Sequence, residues 1–450
     1  MTIRQHYKTN FLLAYPVMIS MLGQVMTGVA DSIMIGRTGA TPLAASSLAN
    51  VVFMLLLTFG IGVSYCITPF VAEADGRKDK SMIVDLLRHG FIINMVAGVL
   101  LVAIILLTQP LLYFAGQPEE VVDLAIPYLQ IISFSILPFM VFQTHRQFGE
   151  GLHSTRMAMI IVIVCNLINI LLNYLLIYGR YGFPELGLNG AGWATLIARV
   201  LMGLCMAAYI YYGKKFTNYR AGFSLGNYSR QLIVKMLHIG IPAGIQFIFE
   251  VSAFGFSAIM MGWLGTNTLA AHQIAINLAT ISYMTTSGLG AAATIRVGNY
   301  LGKRDVPMLR TAAFTLIGMG LMLMTVWGIA FIVWRYQLPA LYIDDQVVIA
   351  TAAPLLIIAG LFQLSDGLQV VCAGALRGLQ DVKIPSLMIF VAYWVISLPL
   401  GYWLGFTLNY GANGIWFGLL IGLTLTASAM LIRFNILSKK LHHRTNIPSE

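Results

Sequence analysis

Twelve apolar runs, each long enough to be a membrane helix, constrain this chain more than any other feature. They are expected near residues 11–35, 47–72, 89–110, 125–149, 157–178, 188–212, 236–262, 270–298, 311–334, 347–373, 384–407 and 412–436. A bilayer core about 30 Å thick needs roughly 20 apolar residues of helix, whereas barrel strands alternate over about ten. Backbone groups inside hydrocarbon must find partners within the protein, so uninterrupted apolar runs of this length read as helices. Only 10% of residues are charged, against about 25% in soluble domains. The mean hydropathy is +0.80. An all-α integral membrane protein follows, and a soluble one is excluded. The first run, Phe11–Ile35, is too long for a signal-peptide core and lacks a small-residue cleavage site, so it is predicted to remain. Cys66, Cys165, Cys205 and Cys372 lie in apolar runs without metal-ligand spacing and are expected to be buried core residues.

The net charge of +10 does not imply nucleic acid once its distribution is read. With twelve spans, 23 of the 27 lysines and arginines fall on the side that carries both termini. Arg37, Arg180 and Arg335 fall on the other, and Arg199 lies within a span. Positive residues favour the cytoplasmic side, which predicts cytoplasmic termini. An even number of spans requires both termini on one side, so the two arguments agree.

The chain reads as a duplication. Pro16 near the start of the first span has its counterpart in Pro242, 226 residues later. At the same offset Gly39-Ala-Thr-Pro-Leu-Ala-Ala45 matches Gly265-Thr-Asn-Thr-Leu-Ala-Ala271, and Gly76-Arg-Lys-Asp79 matches Gly302-Lys-Arg-Asp305. Gly151-Leu152 matches Gly378-Leu379, and Gly187-Leu-Asn-Gly190 matches Gly411-Ala-Asn-Gly414, at nearly that spacing. Six spans per repeat leave both halves in the same orientation. That predicts two six-helix lobes related by a parallel pseudo-two-fold axis along the membrane normal. The expected division is an N-lobe over residues 1–212, a cytoplasmic linker over 213–230 and a C-lobe over 231–450.

Ionisable groups inside these spans are few. Asp31, Glu250 and Asp366 fall within the first, seventh and tenth, and Glu150 reads as interfacial at the end of the fourth. A charged carboxylate at the bilayer centre costs roughly 2.5–3.5 kcal/mol, so each buried acid is a functional hypothesis. Gln24, Thr27 and Asp31 share one helical face, as do Asn166, Asn169 and Asn173. With Thr195 these groups could make an oxygen-rich pocket around one carboxylate. In the second half Gln246, Glu250 and Ser257 share a face, and Gln363, Asp366 and Gln369 lie near one face of the tenth span. Two acids in one lobe repel unless a proton or a cation joins them. Na⁺ suits such oxygens, and H⁺ needs only the carboxylate. Asn166 also fits a helix-packing role, Arg199 a structural one, and His272 an interfacial one.

Four stretches carry a family resemblance. They are Val29-Ala-Asp-Ser-Ile-Met-Ile-Gly36, Ile168-Asn-Ile-Leu-Leu-Asn-Tyr174, Leu269-Ala-Ala-His-Gln-Ile-Ala275, and Leu376-Arg-Gly378 before Asp381. In their order and spacing the chain resembles the MATE (multidrug and toxic compound extrusion) family over essentially its whole length, and looks like the NorM-type bacterial branch. The resemblance implies export of organic cations in exchange for Na⁺ or H⁺. It implies an N-lobe coupling site at Asp31, Asn169, Asn173 and Thr195, and a C-lobe site at Glu250 and Asp366. Many members of that branch have Tyr four residues before the second aspartate, where this chain has Phe362.

The sequence reading is therefore a secondary antiporter of the bacterial inner membrane. Its coupling ion is Na⁺ or H⁺, held at Asp31 or at the Glu250/Asp366 pair. Gln24, Gln246, Asn277, Tyr283 and Gln363 are expected to face the substrate cavity. A monomer is expected, in contact with membrane lipid, with no nucleic-acid partner and no cofactor. A lipid or lipid-linked-sugar flippase would want a more basic cavity. A major-facilitator carrier would carry a GxxxDRxGRR-like loop, which Ala74-Asp-Gly-Arg-Lys-Asp79 does not match. No nucleotide-binding GxxxxGK[ST] motif occurs. No metal cluster, Ser/His pair or cofactor motif suggests an enzyme.

Overall fold

The computed structural model describes residues 2–114, 116–219 and 228–445. The described residues form α1 (Ile3–Gly36), α2 (Ala40–Arg77), α3 (Lys80–Phe114), α4 (Glu119–Gly151), α5 (Arg156–Tyr178) and α6 (Gly187–Tyr212) in the first repeat. The second repeat holds α7 (Arg230–Trp263), α8 (Thr266–Gly302), α9 (Val306–Val333), α10 (Gln346–Gly378), α11 (Lys383–Thr407) and α12 (Gly411–Thr445). No strand occurs among the described residues. Eleven of these helices are long and apolar enough to cross a membrane by length and composition. The other, α8, is 37 residues long, but Asn267, His272, Gln273, Asn277 and Thr280 dilute its first half.

Two helices, α3 and α9, begin ahead of their apolar runs, each at an aspartate cap. Asp79 and Asp305 accept hydrogen bonds from the N–H groups of Met82 at 3.0 Å and Met308 at 3.1 Å. Each cap satisfies one of the orphan donors of a new helix. The preceding residues, Lys78 and Arg304, are both left-handed, with φ 60° and 57°. Gly187 and Gly411 likewise share φ near +55°, at 53° and 56°. The duplication is thus repeated in backbone conformation as well as in residue type.

Within the second repeat, α8 and α10 touch at bare backbone. A Cβ on Gly374 would fall 2.1 Å from the Gly290 carbonyl oxygen. The Thr294 hydroxyl donates to Gly374 O at 2.9 Å one turn further on. Small residues at such crossings let membrane helices pack closely without a hydrophobic driving force between them.

Two compact units emerge. One comprises residues 19–244, and the other residues 1–18 with 245–450. The divisions fall inside α1 and α7, in each case two residues after the helix-interior proline, Pro16 or Pro242. A proline lacks the N–H for its helical bond and crowds the carbonyl four residues back, which makes this a natural place for a helix to change partners. The start of α1 is tied into its unit by Asn10, which donates to Thr315 at 3.0 Å, and by His6, which accepts from Arg296 at 2.9 Å. The start of α7 is tied into the other by Ser229 N–H, donating to His89 Nε2 at 2.9 Å. Of the expected linker, Lys214–Tyr219 forms a short 3₁₀ helix, and residues 220–227 lie outside the described residues.

Three expectations change. Glu150 does not face solvent: it is buried within the protein beside Arg146. They form a buried ion pair at 2.7 Å, one helical turn apart on α4. The spacing of four residues places them on one face, and pairing is what makes burial of both charges tolerable. Cys205 is exposed, unlike Cys66, Cys165 and Cys372, because it lies on the outward face of α6. His272 is buried and accepts a hydrogen bond from Trp416 Nε1 at 3.1 Å, so it is a core partner of α12.

Candidate functional site

In the unit of residues 19–244, Asp31 of α1 meets the amide row of α5. Asn173 Nδ2 donates to Asp31 Oδ1 at 2.5 Å. With its amide turned to satisfy both neighbours, Asn169 donates to the same oxygen at 3.1 Å and accepts from Thr195 N–H at 3.3 Å. The i, i+4 spacing of the two asparagines delivers both amides to one carboxylate. Asn173 is fully buried, yet its Oδ1 has no hydrogen-bond partner. A carboxylate and a bare amide oxygen thus stand together, the kind of donor set that suits a hard cation or a proton.

Arg199 does not neutralise Asp31 by direct contact. Its guanidinium donates to Ser135 Oγ at 2.9 Å and lies over the rings of Phe53 and Phe139, 5.0 and 4.9 Å from their centroids. Its charge still acts on Asp31 through space. Asn50 and Tyr128, hydrogen-bonded to each other, belong to the same electrostatic neighbourhood. Sequence reasoning singled out neither, since a lone Asn and a lone Tyr on apolar helices give no spacing pattern.

Gln24 lies one helical face with Asp31, half-buried, and its Nε2 has no partner. Thr27 instead turns its hydroxyl back to Gly23 O at 2.9 Å. Asn166 keeps an unpartnered Nδ2 against Gly23 of α1.

In the other unit, Glu250 of α7 faces α10. Gln369 Nε2 donates to Glu250 Oε1 at 2.7 Å, and the Tyr393 hydroxyl donates to Gln369 Oε1 at 3.3 Å. Asp366 lies one turn before Gln369, 7% exposed, close enough for its charge to act on Glu250. Neither acid is in an ion pair within 4 Å among the described residues. The α11 contribution comes from a π-helical stretch, Val391–Ser397. Such wide turns often occur at functional sites, and this one precedes Pro399, which cannot donate the regular bond. The next residue, Trp394, donates to Phe249 O at 3.2 Å. Tyr393 and Trp394 escaped the sequence reading. Their only signal was a polar-tipped aromatic pair in an apolar run shortly before a proline.

The remaining residues of the expected cavity are scattered. Gln246 and Gln363 are buried, and both amide atoms of Gln363 lack partners. Asn277 is exposed and accepts from Gln273 Nε2 at 3.3 Å. Tyr283 is half-buried, near enough to Tyr393 to interact electrostatically. Phe362 stacks on Trp416 with ring centroids 5.5 Å apart and planes 16° from parallel. It therefore joins the Trp416–His272 pair and offers no oxygen to the acids. No group of three or more His, Cys, Asp or Glu side chains able to hold a metal occurs among the described residues.

The MatE family model matches twice, over residues 16–175 and 242–403, reproducing the 226-residue repeat. A probable multidrug resistance protein NorM from Rhizobium meliloti (strain 1021) is 35% identical over 434 residues, covering 95% of this chain and 93% of the relative. Multidrug resistance protein MdtK of Yersinia enterocolitica (serotype O:8 / biotype 1B) is 35% identical and covers 95% of each. A crystal structure of MATE in the bent conformation superposes with a TM-score of 0.91 at 21% identity, covering 99% of this chain and all of that one. Repeat, helix order and full-length similarity converge: this multi-pass membrane protein belongs to the MATE family of transporters.

Proposed function

We propose that the chain is a secondary antiporter that exports cationic, amphipathic organic molecules in exchange for Na⁺ or H⁺, as a monomer in the bacterial inner membrane with both termini cytoplasmic. Its similarity to proteins named for multidrug resistance supports the substrate class. The observation that carries the mechanism is the Glu250–Asp366 pair, two acids in one apolar unit with no ion-pair partner within 4 Å among the described residues, Glu250 held by the neutral Gln369 amide and Arg377 acting on it only through space. Unpaired carboxylates in such surroundings attract whichever cation can reach them. An organic cation binds while the site opens to the cytoplasm. Na⁺ or H⁺ occupies the carboxylates on the far side and lowers their attraction for it. A membrane potential of 100 mV contributes about 2.3 kcal/mol for each charge moved inward.

Asp31, with Asn169, Asn173 and Thr195, is the second proposed coupling site. Gln24, Gln246, Asn277, Tyr283 and Gln363 are proposed to contact substrate at some stage of the cycle. The test is ethidium efflux from cells carrying Asp31→Asn, Glu250→Gln or Asp366→Asn at matched expression. Loss of efflux in at least one variant is expected; wild-type efflux in all three would remove the carboxylate mechanism. Titrating Na⁺ at fixed pH, and then pH without Na⁺, identifies the ion.

A further inference from the structure

We infer that Gln369 and Tyr393 are positioning residues for ion coupling, a hydrogen-bonded relay that reads the charge on Glu250 and passes it to the π-helical stretch of α11. The inference rests on the ion-coupled reading of Glu250 proposed above.

The relay has a definite direction. Gln369 is 4% exposed and Tyr393 1% exposed, so neither has solvent as an alternative partner. The amide donates to Glu250 at 2.7 Å and accepts from the Tyr393 hydroxyl at 3.3 Å. An ionised carboxylate only accepts hydrogen bonds, which fixes the amide with its nitrogen toward Glu250. A protonated carboxyl adds an O–H donor beside its remaining acceptor oxygen, and Na⁺ on the carboxylate adds a positive centre; either is a partner that the amide oxygen can face. The amide then turns its oxygen toward Glu250 and its NH₂ toward the tyrosine oxygen. Two donors would now meet at Tyr393, so its hydroxyl hydrogen must leave that line. No bond to carbon is made or broken, and the only proton that moves onto the carboxyl is the coupling proton itself.

What Tyr393 is attached to gives this flip a consequence. It lies in Val391–Ser397, where the helix already departs from regular bonding. A second tie joins the same stretch to the same turn of α7, because Trp394 Nε1 donates to the carbonyl of Phe249, the residue before Glu250. Phe249 and Phe390 also pack with ring centroids 4.8 Å apart. A change at Glu250 therefore reaches α11 through both a side-chain and a backbone route. A stretch that can pass its hydrogen bonds between wide and regular turns is the kind of two-arrangement element that coupling requires.

The test uses full-length protein in proteoliposomes, with ethidium as the transported probe and Na⁺ or H⁺ as the varied ion. Tyr393→Phe is expected to shift the half-saturating ion concentration by roughly two- to tenfold, the factor expected for one hydrogen bond, and by more than it changes the maximal rate. Gln369→Leu, which cuts the same relay at its other end, is expected to shift it in the same direction and serves if Tyr393→Phe does not assemble. In a Glu250→Gln background, read as the ion dependence of ethidium binding to the purified protein so that lost efflux does not hide it, Tyr393→Phe is expected to add no further shift. A shift that persists in that background, or an unchanged ion dependence when Glu250→Gln alone alters it, overturns the relay. Wild-type ion dependence in Glu250→Gln itself overturns the C-lobe coupling reading, and the relay with it.

Discussion

Asn173 places its amide nitrogen 2.5 Å from Asp31 Oδ1 while its own buried oxygen meets no partner. The amide is thus half used by the protein. A hydrogen bond to a charged group contributes about 1.5–3 kcal/mol, and an unpaired buried oxygen costs about 1–3 kcal/mol. The second figure is offset when a cation or a proton on Asp31 supplies the missing partner. We predict that Asn173→Ala weakens coupling-ion dependence by roughly tenfold, from the size of that hydrogen bond. Asn173→Asp should sharpen it, since two carboxylates at this distance need a cation or proton between them. Ethidium efflux from vesicles, measured against Na⁺ and against pH, checks both. Equal curves for all three proteins would mean that the first-repeat acid takes no part in coupling.

The Arg146–Glu150 pair predicts a stability signature rather than a transport one. Both side chains are almost wholly buried, 2.7 Å apart. Removing one partner strands the other charge, which typically costs about 3–5 kcal/mol, whereas replacing both with apolar groups is often neutral. Arg146→Met alone and Glu150→Leu alone should lower the unfolding temperature in detergent sharply. The double variant should recover most of the loss. Additive losses would show that the pair is not coupled.

Much of this architecture was legible in the sequence because membrane helices are selected for length and hydropathy, both of which are local. The repeat was legible for a different reason. Asp79 and Asp305 must cap, and Lys78 and Arg304 must turn left-handed, so the same short motif recurs wherever the same turn recurs. The meeting of Asp31 with Asn169 and Asn173 could be anticipated from i, i+4 spacing on α5. Partners that depend on how helices pack could not. Nothing in the pattern around Glu150 tells that its neighbour four residues back turns inward with it. Tyr393 reaches Gln369 from a π-helical stretch, where the ordinary helical period no longer assigns faces. Phe362, likewise, carries no mark that it stacks on Trp416.

Gln363 is buried with neither amide atom partnered. An unpaired buried polar group costs about 1–3 kcal/mol, and an apolar residue of similar size removes that cost. We predict that Gln363→Leu raises thermal stability in detergent while reducing ethidium efflux, if the amide is kept for substrate. Unchanged efflux with raised stability would take Gln363 out of the proposed cavity. Lowered stability would mean that the amide is satisfied in the folded protein.

The crossing of α8 and α10 offers the sharpest contrast between two glycines. A Cβ on Gly374 would fall 2.1 Å from the Gly290 carbonyl oxygen, a backbone atom that cannot step aside by a change of rotamer. A Cβ on Gly255, in the middle of α7, would meet nothing within 4 Å. Glycine in a helix interior is worse than alanine by roughly 0.5–1 kcal/mol, so alanine gains wherever there is room. Gly255→Ala should therefore be neutral or slightly stabilising. Gly374→Ala must push two helices apart, which costs typically 1–3 kcal/mol or more in a packed interior. It should lower the unfolding temperature and, because α10 carries both Asp366 and Gln369, reduce efflux as well. Thermal unfolding of the two variants side by side decides it: equal midpoints would show that the helices do not meet at this glycine pair.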